Sequence, residues 1–323
     1  MQNHNQESSS APFRAGGKFL VVVLGPTAVG KTSLAIQLAK ELSTEIISAD
    51  SRQFYREMNI GTAKPSAGQL KEVKHHFINS LSVQDEYNAG MFERDAVKVL
   101  EKIFEKNKTA VMAGGSGLYI NAVCNGFDEV PRADKELRAN LTALYKEYGI
   151  VELQEQLKRL DADHYRKVDI KNPHRLIRAI EVCMLTGKKY SELRKTDSAH
   201  PSSVIRHRPF TPIKIGLELG REELYARINA RVDEMMKSGL LEETKSLKAH
   251  RHRNSLHTVG CKEMFDFFEG KRDLSRTVEL IKQNTRNFAK RQLTWFKKDK
   301  EINWFNAHSS QAVIDFVKKQ VGK

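Results

Sequence analysis

The chain has 323 residues, 40% of them hydrophobic and 29% charged, which fits a soluble globular protein of one large domain, alone or with an inserted second. A formal net charge of +14 favours polyanionic partners without specifying a fold. The three cysteines, Cys124, Cys183 and Cys261, are far apart with no CxxC pair, which excludes a disulfide scaffold or a cysteine-rich zinc site and predicts a cytoplasmic protein.

Residues 1–18 are polar and Ser-rich, lack an apolar h-region and carry only Arg14 and Lys18 as cations. They predict a disordered tail rather than a secretory or transit segment. Phe19 to Leu24 (FLVVVL) is continuously apolar and β-branched, as a strand buried on both faces requires. A glycine-bounded loop, Gly25 to Lys31, leads into a helix from about Thr32 to Leu42. Further strands are predicted at Glu45–Asp50, Thr109–Ala113 and Pro212–Leu219, the third strand ending in Gly114-Gly115-Ser116-Gly117. Strands alternating with helices imply an α/β fold with a parallel sheet flanked by helices. Charge-rich helical patterns without a strand fill the stretch from Asp128 to Pro209, an all-helical insertion left through the proline-containing linker TDSAHPSSVIRHRPFTP. No run approaches the ~20 apolar residues of a membrane helix. The expected division is 1–18 tail, 19–127 core, 128–209 helical insertion, and 210–323 second part of the core with basic C-terminal helices.

Gly25-Pro26-Thr27-Ala28-Val29-Gly30-Lys31-Thr32 matches G-x-x-x-x-G-K-[ST], a phosphate-binding loop, in its proper place between strand and helix. Glycines let backbone amides converge on phosphate oxygens, and the helix N-terminus adds its dipole. Lys31 neutralises phosphate charge, and the Thr32 hydroxyl is a candidate Mg²⁺ ligand. The motif makes the fold P-loop NTPase-like but does not specify the reaction. The third strand ends in Gly114-Gly115 where an ATPase places an acid for Mg²⁺, and no N-K-x-D signature is present, so ordinary ATPase and GTPase readings lose support.

Asp50 ends the second strand, on the ligand-facing edge of a parallel sheet. It fits a general base, a ligand of a Mg²⁺-bound water or a helix N-cap. Ser116, at the same edge, fits a hydrogen-bond donor to a leaving phosphate oxygen or the N-cap of a helix starting near Leu118. His75-His76, as adjacent histidines, fit a loop or strand edge better than a metal site. Two stretches are basic: Asn172 to Arg178, and Lys271 to Lys300, where ten Lys/Arg face three Asp/Glu. In the latter, Val278, Ile281, Thr285, Phe288, Gln292 and Trp295 form a helical seam with two polar members. Lys282, Arg286 and Lys290 share another face with no neutralising acid at their spacing, a pattern that leans toward a phosphate backbone.

Taken in order, GPTAVGKT, ISADSRQFYREMNIGTAKP, HHFIN, AGGSGLYI, NPHRLIRAIEV, RINARVDEMMKSGL, VGCKEM and NFAKRQLTWFK resemble the bacterial-type tRNA dimethylallyltransferase family from Leu20 to about Lys298. The resemblance implies transfer of a dimethylallyl group from dimethylallyl diphosphate to the exocyclic N6 amine of the adenosine at tRNA position 37, beside the anticodon, releasing diphosphate. It implies that Thr27 to Thr32 hold the diphosphate with Mg²⁺ and that Asp50 takes the amine proton. Ser116 would hydrogen-bond the bridging oxygen, and Arg227 and Arg231 are further diphosphate candidates. Asp50, Ser51, Arg52, Gln53, Arg138, His174, Arg175, Leu176, Ile177, Arg178, Val259, Gly260, Cys261 and Lys262 would touch the anticodon stem-loop. Cys261 stands where relatives carry an aromatic, which puts stacking there in doubt. With no zinc-finger extension before Lys323, a bacterial-type enzyme acting as a monomer is expected. A P-loop kinase acting on a small hydroxyl acceptor and a non-catalytic tRNA-binding protein stay open as rivals.

Overall fold

The structure is a computed structural model that describes residues 17–126, 130–131, 133–193 and 208–322. All but the last two residues of the expected tail, and residues 196–207 of the expected linker, lie outside the described residues. The elements are β1 (Phe19–Leu24), α1 (Lys31–Glu41), β2 (Ile46–Ser48), α2 (Ala67–Glu72), β3 (His75–His76), α3 (Ala89–Lys106), β4 (Thr109–Gly114) and α4 (Gly117–Asn125). Next come α5 (Lys135–Tyr148), α6 (Ile150–Leu160), α7 (Ala162–Tyr165), α8 (Pro173–Thr186) and α9 (Tyr190–Leu193). The chain then forms β5 (Thr211–Glu218), α10 (Arg221–Lys237), α11 (Leu240–Ser246), α12 (Cys261–Phe268), α13 (Leu274–Phe296), β6 (Asn303–Asn306) and α14 (Ser310–Val321). Two compact units result, one of Met1–Cys124 with Arg208–Lys323 and one of Asn125–His207.

The first unit is a six-stranded sheet in the order β3-β2-β4-β1-β5-β6, and its ladders are parallel. Alternation along β1 explains why it reads as apolar throughout. Val21 and Val23 face a cluster built on Leu34, Leu38, Leu224, Ile228 and Val313, from α1, α10 and α14. Leu20, Val22 and Leu24 face the opposite cluster, with Phe92, Leu100, Ile120 and Phe296 from α3, α4 and α13. The edge strands β3 and β6 exceed what the sequence predicts, since each is short, partly buried and without an apolar run. His75-His76 do form a strand edge: His75 Nδ1 lies 2.8 Å from the Val73 carbonyl and His76 Nε2 2.5 Å from Glu45.

β2 is shorter than Glu45–Asp50. Asp50 lies two residues past its end, where Oδ1 accepts a hydrogen bond from the Arg52 amide at 3.0 Å, an Asx turn that carries the chain off the sheet. The segment after this turn is anchored on all sides. Arg52 donates to the Asn254 and His257 carbonyls, and Gln53 to those of Thr62 and Ala63. Phe54 is fully buried, stacked on Phe92 at 5.5 Å and edge-on to Tyr87 at 5.3 Å. These anchors tie the segment after the Asp50 turn to its surroundings at the sheet's edge.

The second unit is helical among its described residues, around Leu141, Leu153, Leu157, Leu176, Ile177 and Ile180. Glu181 has no exposed surface, yet its carboxylate accepts from Arg138 at 2.6 Å, Arg178 at 2.7 Å and the Asp134 amide at 2.9 Å. Removing one member of such a buried cluster strands the rest, at about 3–5 kcal/mol. Glu181→Ala should therefore lower amide-exchange protection across α5, α6 and α8 by that amount. Arg138→Ala, with a half-exposed side chain, should cost less; equal protection in the Glu181 variant would show the cluster to be dispensable.

Candidate active site

A cavity of about 830 Å³ opens within the first unit where the chain leaves β1, β2 and β4. Adjacent parallel strands deliver three loops to the same edge, since Leu24 pairs with Gly114 and Ser48 with Ala113. The β1 loop brings Thr27, Ala28, Gly30, Lys31 and Thr32 to the cavity, the β2 turn brings Asp50, Ser51, Arg52 and Gln53, and the β4 turn brings Ser116. α10 adds Arg227 and Arg231, the segment before α12 adds Val259 and Gly260, and α13 forms a wall.

The phosphate loop has the backbone its sequence requires. Gly30 has φ +107° and Ala28 φ +65°, the left-handed backbone on which such a turn depends. Gly25, Pro26 and Val29 are buried beneath it and contribute backbone only. Lys31 donates to the carbonyls of Gly25 at 3.1 Å and Pro26 at 2.7 Å. Burial pushes its ammonium down to about 8, opposed by the attraction of Asp50 and helped by the repulsion of Arg231. Burial likewise lowers the Arg231 guanidinium, again against Asp50. Two partly desolvated cations thus face one carboxylate, an arrangement suited to an anion that carries more than one charge. Of the two arginine candidates, Arg227 is paired with Glu223 at 2.8 Å, whereas Arg231 has Asp50 as its principal charged neighbour.

Ser116 does not use its hydroxyl as a helix cap. Oγ accepts from the Ser51 amide at 3.0 Å and donates to Ser51 Oγ at 3.2 Å, tying the β4 turn to the residue after Asp50. The glycines beside it are dictated by α13. A Cβ on Gly115 would lie 2.3 Å from Gln292 Nε2, and one on Gly117 2.3 Å from Trp295 Nε1.

The α13 seam is part core, through Val278 and Ile281, and part cavity wall. Ile281, Thr285, Phe288, Gln292 and Trp295 line the cavity, with Phe288 39% and Trp295 44% exposed. The two polar members were the available signal: Thr285 and Gln292 interrupt the seam where it meets the site. Gln292 accepts from the Thr27 amide at 2.9 Å and donates to the Gly115 carbonyl at 2.9 Å. Sequence reasoning also misses Glu243, whose carboxylate takes the amides of Asn59, Ile60 and Gly61 and fixes one side of the cavity.

The structure sets the expected tRNA contacts in different surroundings. Cys261 is 3% exposed in a core cluster with Tyr55, Met58, Leu256 and Phe265, and burial pushes its thiol up to about 12. Leu176 and Ile177 belong to the helical unit's core. Arg138 and Arg178 neutralise Glu181, and Arg178 also donates to the Pro131 carbonyl. The stripe on α13 is not free of acid: Lys282 is 2.8 Å from Asp233 of α10 and 3.2 Å from Glu279. Arg286 donates to Asn229 at 2.6 Å and lies over the Tyr225 ring. Lys290, Lys262, His174 and Arg175 are exposed.

A family model described as IPP transferase matches residues 53–299. A tRNA dimethylallyltransferase of Christiangramia forsetii is 48% identical over 304 residues, 94% of this chain and 98% of that protein. Another, tRNA dimethylallyltransferase 1 of Bacteroides thetaiotaomicron, is 44% identical over 301 residues, 93% of this chain and 96% of its own. The solved tRNA isopentenylpyrophosphate transferase of Bacillus halodurans matches with TM-score 0.69 at 34% identity, covering 94% of this chain and 97% of its own. A eukaryotic dimethylallyltransferase acting on tRNA matches with TM-score 0.79 at 25% identity, covering 94% and 80%.

The depressed Lys31 ammonium has a readable consequence. The protonated form attracts an anion, so affinity for inorganic diphosphate should fall as pH rises through about 8 in the free protein. Diphosphate also titrates in this range, so the informative quantity is the affinity of wild type relative to Lys31→Arg, which keeps its charge. Titration calorimetry between pH 7 and 9.5 should show that ratio falling toward about tenfold per pH unit above the pKa. A ratio independent of pH would show that Lys31 stays charged throughout.

Proposed function

The chain belongs to the IPP transferase family, and we infer that it transfers a dimethylallyl group from dimethylallyl diphosphate to an adenosine of tRNA. The acceptor is the N6 amine of the adenosine beside the anticodon, position 37. The observation that carries the reading is the convergence of a phosphate loop, Asp50 and Ser116 on one cavity whose α13 wall presents Ile281, Phe288 and Trp295. A nucleotide hydrolase needs no such wall, whereas a prenyl group does.

In the reaction the bond from the allylic carbon to the bridging oxygen breaks, and that carbon bonds to N6. The electron pair leaves with the diphosphate, and the surplus N6 proton passes to the Asp50 carboxylate. Lys31 and Arg231 stabilise the negative charge that builds on the leaving group, as do the loop amides, which need no reorganisation. The Ser116 hydroxyl proton, directed to Ser51 Oγ in the structure, swings to the bridging oxygen. An adenine amine is a weak nucleophile, so a positioned base contributes ~10²–10⁴-fold. Drawing the adenosine from its stack costs a few kcal/mol, offset by binding of the surrounding stem-loop.

Mg²⁺ fits this site as a partner of the substrate. Among the described residues no cluster of three His, Cys, Asp or Glu side chains forms a cage. Thr32, lining the cavity, supplies an oxygen ligand suited to an ion that keeps waters and binds through phosphates. Bound there by Thr32, the ion would neutralise diphosphate charge. For tRNA, the exposed His174, Arg175, Lys262 and Lys290 are the contacts the geometry favours, with Arg52, Val259 and Gly260 at the cavity. No helix among the described residues is long and apolar enough to cross a membrane.

Incubation with unmodified tRNA and labelled dimethylallyl diphosphate, followed by nucleoside analysis, should yield dimethylallyladenosine. Asp50→Asn should retain tRNA binding and lose ~10²-fold or more in single-turnover transfer. Near wild-type transfer would exclude Asp50 as the base, and ATP turnover stimulated by a small hydroxyl acceptor would indicate a kinase instead. On α13 the salt dependence of tRNA binding discriminates among the cations. Lys290→Gln should flatten the slope of log affinity against log salt by roughly 0.7–0.9. Lys282→Gln, whose charge Asp233 and Glu279 already meet, should leave it unchanged; equal slopes for wild type and both variants would make the stripe a solvated face.

A further inference from the structure

We infer that Gln292 is a positioning residue of the transfer reaction, fixing the separation between the phosphate loop and the turn that carries Ser116; this rests on the function proposed above. Its side chain is 7% exposed and bridges the two loops with a hydrogen bond to each. The partners are one donor, the Thr27 amide, and one acceptor, the Gly115 carbonyl. A primary amide offers one acceptor end and one donor end, so only one orientation satisfies both. Leucine or methionine would fill the same volume and leave both backbone groups unpaired, and glutamate would set a carboxylate against a carbonyl.

The glycine turn is shaped around this contact. A Cβ on Gly115 or Gly117 would force Gln292 or Trp295, three residues apart on one face of α13, out of place. Bonds then run from Thr27 through Gln292 to Gly115, and from Ser116, the next residue, to Ser51 beside Asp50. The diphosphate seat, the donor to the leaving oxygen and the base are spaced by this chain of contacts. Because misplacement of reacting groups by about 1 Å costs on the order of 10²-fold, loosening one link should reach the chemical step while sparing tRNA binding.

The test compares wild type, Gln292→Met and Gln292→Glu for single-turnover transfer, tRNA affinity, inorganic diphosphate affinity and folded fraction by circular dichroism, from pH 5.5 to 8.5. Gln292→Met should lose roughly 10- to 100-fold in transfer at unchanged tRNA affinity. The introduced carboxyl of Gln292→Glu supplies a donor and an acceptor when protonated but only acceptors when ionised. Its rate relative to wild type should therefore rise as pH falls, while the Met ratio stays flat. A Met variant that transfers at the wild-type rate overturns the inference. So does a loss that only tracks unfolded protein, or a Glu ratio that ignores pH. Transfer by wild type with no effect at Gln292 defeats this inference alone; no transfer by wild type defeats the function on which it rests.

Discussion

β1 sits between two parallel neighbours, pairing Leu24 with Gly114 of β4 and with Gly216 of β5. Parallel ladders send every strand's carboxyl end to one edge, so the loops after β1, β2 and β4 converge there. All the chemistry depends on that register. The strand is held by burial on both faces, Val21 and Val23 against one helical layer and Leu20, Val22 and Leu24 against the other. A shift of one residue would exchange those faces and carry the phosphate loop away from Asp50 and Ser116.

The site's electrostatics follow from the same convergence. Lys31 and Arg231 arrive from α1 and α10, both partly desolvated, with Asp50 the carboxylate that opposes their discharge. Such a cluster is poorly compensated without a polyanion and well compensated with one. Elsewhere the protein uses its cations differently. Lys214, 5% exposed within the sheet, is raised because Asp299 and Glu301 outweigh its burial. Arg138 and Arg178 balance Glu181. Net charge therefore overstates the number of cations left free at the surface.

The phosphate loop, the parallel α/β core and the helical character of the insertion were legible because each is written in contiguous residues: an apolar run, a glycine-bounded turn, an amphipathic repeat. Asp50 and Ser116 were legible as strand-end residues because their position follows from the sheet's polarity. Tertiary packing decided the rest. The strands β3 and β6 exist only because a sheet edge accepts them, since His75-His76 and Asn303–Asn306 carry little strand pattern. Leu176, Ile177 and Cys261 lie inside motifs that read as RNA-binding, yet their apolar side chains are drawn into cores that only the assembled helices create. Lys282 meets Asp233 because α10 packs beside α13, a pairing no periodicity within α13 encodes. Gln292 stands 265 residues from Thr27 in the chain. Local sequence specifies secondary structure and turns through short-range sterics, and it marked Gln292 only as a polar break in an apolar seam. Its two hydrogen bonds were fixed when burial of α13 against the sheet left the Thr27 amide and the Gly115 carbonyl with that side chain as their partner.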